Sequence, residues 1–113
     1  MKINHYSFGN ITINGKTYSK DVIIYPDHVY SPWWRKEGHV LHIEDLTDII
    51  KAKLPYLIIG TGYNGTMRVP DEILHFLRSN KIEVTVGKTP EAVDHYNKKA
   101  AANDCIAAFH LTC

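Results

Sequence analysis

The chain has 113 residues, enough for one domain with one sizeable core and too few for the two halves of a full dinucleotide-binding fold. Its formal net charge is +1 with 22% charged residues, and the lysines are spread along the chain, which excludes the basic face that a nucleic-acid partner needs. No apolar run approaches the roughly 18 residues of a membrane span and Met1-Lys2-Ile3-Asn4-His5 opens no signal or transit peptide, so a soluble, cytoplasmic protein is expected.

The first predicted elements are strands. Ile11-Thr12-Ile13 and Lys16-Thr17-Tyr18 flank Asn14-Gly15, the pair favoured in a two-residue hairpin turn. Asp21-Val22-Ile23-Ile24-Tyr25 reads as a further strand closed by Pro26-Asp27, followed by the turn-rich loop "SPWWRKEGH" and a short extended segment at Val40 and Leu41. Ile43, Leu46, Ile49, Ile50 and Leu54 then recur at helical spacing, and Pro55 ends that helix.

From there the pattern alternates as parallel βαβ units do. Residues 56–59 form an apolar strand, and 70–79 a helix that buries Ile73, Leu74, Phe76 and Leu77. Residues 82–86 form the next strand. Thr89 is placed to cap a helix with Pro90 at its first position and Glu91 suited to its N-terminal dipole. Ala92, Val93, Tyr96, Ala100 and Ala101 give this helix a small packing face, and 105–109 is the last strand. One α/β domain spanning residues 1–113 accounts for the whole pattern.

Gly60-Thr61-Gly62-Tyr63-Asn64-Gly65 has the G-x-G-x-x-G spacing of a dinucleotide fingerprint, directly after a strand. In that fingerprint the helix begins among the glycines and an acidic residue follows about 20 positions on, past the end of the next strand. Here Thr66-Met67-Arg68-Val69 separates the glycines from Pro70, and the next strand ends Val84-Thr85-Val86-Gly87-Lys88 without a carboxylate. The dinucleotide reading fails, and no cofactor is implied. A small anion remains physically reasonable: the loop leaves the carboxyl end of a strand, Gly60, Gly62 and Gly65 let amides approach closely, and Arg68, Lys88 and the Thr89-Pro90 helix start add positive potential. The plainer alternative is that the glycines only permit positive φ in a tight loop. The loop is expected to lie beside the Thr89-Pro90 helix start, because both leave the carboxyl ends of neighbouring parallel strands.

Successive strand side chains point to opposite sides, so Trp33 and Trp34 cannot both be buried by one face. One indole is expected as a core plug, with Arg35 stacked on the other. The exposed one also suits a partner surface. His39 and His42 diverge in extended chain and are not expected to share a metal. Cys105, inside a strand, and Cys113, at the last position, form no metal-spaced pair and no disulfide framework. His110 with Cys113 is a conceivable Cys-His pair, against the plainer reading of a satisfied histidine at a strand end.

Taken in order, "SPWWRKEGHVL", "DL", "LIIGTGYNG", "TPEAVDHYN" and "HLTC" resemble the domain of unknown function 498 family, also called the adipogenesis-associated Mth domain family. The resemblance runs over nearly the whole chain. It implies a three-layer α/β/α domain with a mixed central sheet and an added N-terminal β-hairpin. It links eukaryotic relatives to adipogenesis and to assembly of mitochondrial respiratory complex I, with no agreed enzymatic role for small microbial members. The family's recurrent positions fall on Trp34, Gly38, His39, Gly60, Thr61, Gly62, Gly65, Thr89, Tyr96, Asn97, His110 and Thr112. With Arg68 added from the loop itself, Trp34, His39, Gly60, Thr61, Gly62, Gly65, Arg68, Thr89, Asn97 and His110 are the candidate ligand-binding residues. No residue set identifies a reaction. The reading ranked first is therefore a binding or assembly module for a protein partner, and the second a protein binding a small anion or metabolite, or an enzyme, with its cleft at the glycine loop.

Overall fold

The Asn14-Gly15 turn adopts the backbone its residues favour, with φ of 48° and 81°, which matches the twist of the strands it joins. In this computed structural model, which describes residues 1–99 and 104–113, the hairpin is part of a three-stranded antiparallel sheet. Its strands are β1 (Ile3–Ser7), β2 (Asn10–Ile13) and β3 (Lys16–Tyr18), in that order. Only Ile3 of β1 is fully buried, so that strand carries little apolar signal.

The central sheet contains β4 (Val22–Ile24), β5 (Val29–Tyr30), β6 (Tyr56–Thr61), β7 (Glu83–Gly87) and β8 (Cys105–His110), arranged β5-β4-β8-β6-β7. β6 runs parallel to β7 and β8, while β4 runs antiparallel to β8 and β5, so the sheet is mixed. Every residue of β8 is buried, as are all of β6 after Tyr56. Strands covered on both faces must read as continuous apolar runs, and these two do.

Side chains alternate between the faces of the sheet. Ile23, Leu57, Ile59, Ile106 and Ala108 pack on one side against Trp33 and against α1 (Thr47–Lys51) and α2 (Asp71–Ser79) through Ile49, Ile73 and Leu77. Val22, Ile24, Ile58, Ala107 and Phe109 pack on the other, against Ala92, Val93 and Tyr96 of α3 (Thr89–Lys99) and Ile3, Ile11 and Ile13 of the small sheet. The route β6-α2-β7 steps outward, whereas β7-α3-β8 returns past β6. Right-handed crossovers therefore place the two helices on opposite faces. The result is three layers, with the small antiparallel sheet sharing the layer of α3.

Three local details differ from the sequence reading. The helix expected from Ile43 to Leu54 is a 3-10 turn (Ile43–Leu46) leading into the short α1. Lys53, at φ 54°, has already turned the chain before Pro55. Phe76 is 43% exposed, because Ile73 and Leu77, one turn apart, take the buried stripe of α2 and leave Phe76 at its margin. Ala100 and Ala101 lie outside the described residues. No helix among the described residues is long and apolar enough to cross a membrane.

Candidate functional site

β6 delivers Gly60 and Thr61 to its carboxyl end, where the chain turns at Gly62 with φ 105°. The Gly62 amide donates to Thr89 Oγ1 at 2.9 Å, the Thr89 amide donates back to the Gly62 carbonyl at 3.0 Å, and the Thr89 hydroxyl donates to the His110 carbonyl at 2.7 Å. One buried hydroxyl thus ties the ends of β6 and β8 to the start of α3. The expected helix cap is a tertiary link instead. Ala92 N bonds to Lys88 O, and the Thr89 hydroxyl is used across the sheet. Gly60 is needed here for space: a Cβ at this position would lie 2.8 Å from Thr89 Oγ1 and 2.7 Å from the Phe109 ring. Thr61 Oγ1 donates to Gly87 O at 3.1 Å, and Gly65 closes over the aliphatic stem of Lys88. The glycine loop and the Thr89-Pro90 start are therefore adjacent, at the carboxyl end of the parallel strands.

In open α/β sheets that end holds the ligand crevice. Here residues 111–113 run through it. Tyr63 N donates to Thr112 O at 2.6 Å and Thr66 N to Cys113 O at 3.0 Å, while Gly65 N bonds to Gly62 O and Met67 N to Thr61 O. A Cβ on Gly62 would stand 2.8 Å from the Thr112 carbonyl oxygen and overlap the Cys113 carbonyl. The close approach that glycine permits is used by the chain's own backbone. From the opposite side, Gly9 N and the Tyr6 hydroxyl each donate to Leu111 O at 2.8 Å. Burial, then the negative charge of Asp21 and the Tyr63 phenol, push the Tyr6 hydroxyl up to about 12, so it stays a donor. Phe8 stands edge-on to Tyr63, with ring centroids 6.1 Å apart.

Beside this segment lies a charged cluster. Asp21 Oδ2 accepts from Arg35 Nη1 at 2.6 Å and lies 2.8 Å from His110 Nδ1, and Asp21 Oδ1 accepts from Leu111 N at 2.8 Å. Arg35 Nη2 is 3.0 Å from the same His110 nitrogen and donates to Gly38 O. Burial alone would raise the Asp21 carboxyl, but the hydrogen bonds from His110, Leu111 and Arg35, with the charge of Arg35, together outweigh it and hold the carboxyl below its ordinary value. Arg35 Nε and His110 Nε2 are buried without hydrogen-bond partners among the described residues. The His39 ring meets His110 edge-on at 6.3 Å. Sequence reasoning missed Asp21, whose partners lie 14 and 89 positions away. The available signal was a carboxylate opening an otherwise buried strand.

The two indoles separate, although residues 33 and 34 lie in a loop and not in a strand: Trp33 is 4% exposed and Trp34 78%. Arg35 sits over the buried ring, 4.8 Å from its centroid, rather than over the exposed one.

Gly60, Thr61, Gly62, Gly65, Thr89, His110 and His39 thus gather at one end of the sheet. Asn97 stands apart, with its amide accepting from Ile3 N at 3.0 Å and donating to Ile3 O at 2.9 Å, a two-point clamp between α3 and β1. Arg68 projects into a separate cleft beside Glu37 and Glu72 that includes none of the glycines. His42 pairs with Glu37, whereas His39 faces His110.

Solved structures share this architecture. A conserved hypothetical protein from Pyrococcus horikoshii OT3 is 26% identical with a TM-score of 0.85, covering 100% of both chains. The protein MT938 is 30% identical with a TM-score of 0.80, covering 99% of this chain and 98% of its own. A protein described as an outer membrane protein from Bartonella henselae, 22% identical over 98% of this chain and 94% of its own, shares the fold with a TM-score of 0.81. The model of the family described as Protein of unknown function (DUF498/DUF598) matches residues 3–111, and the chain belongs to that family.

Proposed function

We propose that this protein is a binding or assembly module that docks a protein partner on the loop end of its sheet. The observation that carries the reading is how the glycine loop spends its amides: Tyr63 N and Thr66 N bond to Thr112 O and Cys113 O, while the Tyr63 ring is left outside. Phe8, 51% exposed, packs against Tyr63, 49% exposed, and Trp34 is displayed from the Arg35 loop. Aromatic rings held on braced loops are the residue types enriched at interface centres. The same hydrogen bonds weigh against the small-anion reading, since amides already engaged are not free to cradle an anion. The Asp21 carboxylate, matched internally by Arg35, His110 and Leu111 N, works as a brace beneath the Trp34 loop.

The test is position-specific crosslinking in cells that make the protein. A Tyr63→benzoylphenylalanine variant should yield a discrete protein adduct, a Ser79→benzoylphenylalanine variant on the far end of α2 should not, and Trp34→Ala should abolish the first adduct. Equal labelling from positions 63 and 79, or an adduct indifferent to Trp34→Ala, would remove this surface from consideration.

A further inference from the structure

β4 runs antiparallel to β8, so the turn that joins β4 to β5 lies at the opposite end of the sheet from the glycine loop. The pleat decides what surrounds that turn. Tyr30 is in register with Ile23, and Tyr25 stands two positions beyond Ile23, so both phenols emerge on the face that α1 covers. From the helix side come Asp48, in the first turn of α1, and Ala52, at its C-cap. Four positions apart, they share one helix face. Tyr25 and Leu54 pack against the core beneath. These residues line a cleft of about 700 Å³, within the range of roughly 300–1,000 Å³ that small-ligand sites occupy.

The aromatic wall is held by local contacts. Tyr25 N donates to His28 O at 2.8 Å, and the two rings stack with centroids 4.6 Å apart and planes 11° apart. A wall already ordered loses little side-chain freedom when a ligand arrives. Tyr30, by contrast, is displayed at 53% exposure.

Charge selects what enters. His28 Nδ1 lies 2.7 Å from Asp27 Oδ1, so these two lining groups match each other. Asp48 has no ion pair among the described residues, and no lysine or arginine among them lines the cleft. Burial, then the negative charge of Asp48 and the Tyr30 phenol, raise the Tyr25 hydroxyl above its ordinary value, which keeps it neutral beside the carboxylate. An unmatched carboxylate among electron-rich rings attracts a cation and repels an anion. Ala52 and Leu54 leave the rest of the wall apolar.

We infer that this cleft binds a small organic molecule that carries a primary ammonium group on an apolar body. The ammonium is held by Asp48 and the two phenols, and the body rests on Ala52 and Leu54. The site shares no residue with the aromatic loop end.

Titration of the nitrogen-labelled protein at low ionic strength, followed through its amide shifts, tests this with four probes. Phenethylamine is the ammonium; phenethyl alcohol and phenylacetate are its uncharged and anionic counterparts, and N-acetyl-lysinamide stands for a lysine side chain of a protein. Phenethylamine should shift amides within residues 25–30 and 48–54, and the alcohol and phenylacetate should each bind at least about tenfold more weakly. Asp48→Asn should weaken the amine by about tenfold and Tyr30→Ala by about threefold, while Trp34→Ala should leave it unchanged. Asp48 and Tyr30 are both exposed, so the variants should keep the wild-type amide pattern outside the cleft, which separates lost binding from lost fold. No shift with phenethylamine, equal binding of the alcohol, indifference to either cleft substitution, or N-acetyl-lysinamide binding as tightly as phenethylamine would each overturn the proposal.

Discussion

Asp21 and His110 sit 89 positions apart and meet at 2.8 Å, joining the entry to β4 with the exit from β8. Together with Arg35 they lock three segments around one carboxylate.

The first expectation follows from that carboxylate. Asp21→Asn should destabilise the protein by about 3 kcal/mol at neutral pH, because Arg35 would be left buried and unmatched. A carboxyl held below its ordinary value of 3.8 contributes stability that is complete above 3.8 and is lost as pH falls through the folded value. Denaturant melts from pH 7 downward should therefore show an acid limb in the wild type that is shallower in Asp21→Asn. Identical limbs would assign the acid sensitivity to other groups.

Glycine substitutions should separate two causes of strain. Gly15 and Gly62 both have positive φ, but a Cβ at Gly15 meets nothing within 4 Å, whereas one at Gly62 meets the backbone of Thr112 and Cys113. Gly15→Ala should cost about 1 kcal/mol from backbone conformation alone. Gly62→Ala should cost more, up to about 3 kcal/mol, with loss of amide-exchange protection at Tyr63 and Thr66. Equal costs would mean that residues 112–113 yield easily.

Thr89→Val removes the acceptor for Gly62 N and the donor to His110 O while keeping the shape. Leaving two buried groups unmatched should cost about 2–4 kcal/mol, with Thr89→Ser recovering most of it. Thermal unfolding of the three proteins checks this, and a near-neutral valine would show that the hydroxyl is dispensable.

The two thiols should differ sharply. Burial pushes Cys105 up to about 11, with the charge of Lys99 opposing and that of Asp104 assisting, while Cys113 is exposed. Because the thiolate is the reactive form, a disulfide reagent at pH 8 should titrate one thiol in the native protein and a second only on unfolding. Cys113→Ser should abolish the native reaction.

Much of the fold could be read in advance, for identifiable reasons. The unbroken apolar runs of β6 and β8 announce strands covered on both faces, and Asn14-Gly15 names its own turn. β1 was hidden because its side chains are largely solvated and its register depends on β2 and on the Asn97 clamp. The candidate site was legible only in part, as loops sharing one end of the sheet, with Asn97 standing apart on Ile3. Its contents were not. Nothing local to Gly62 reveals that the backbone approaching it belongs to residues 112 and 113, and nothing local to Asp21 reveals Arg35 and His110. Arg68 was grouped with the glycines by adjacency along the chain, yet its pairing with Val40 turns it toward α2.

The position of β8 bears on how the protein is made. It lies between β4 and β6, so Val22 and Tyr56 wait for partners at Phe109 and Cys105. While the ribosome adds the residues between, β4 and β6 have no strand to separate and join them, and their apolar faces stand open. The small antiparallel sheet and the β6-α2-β7 unit have local pairings and can form early, but the central sheet closes only when β8 emerges. Non-local closure of this kind slows folding and prolongs exposure of sticky edges. A ribosome-bound chain halted before residue 105 should accordingly recruit holding chaperones that the finished protein has no need of.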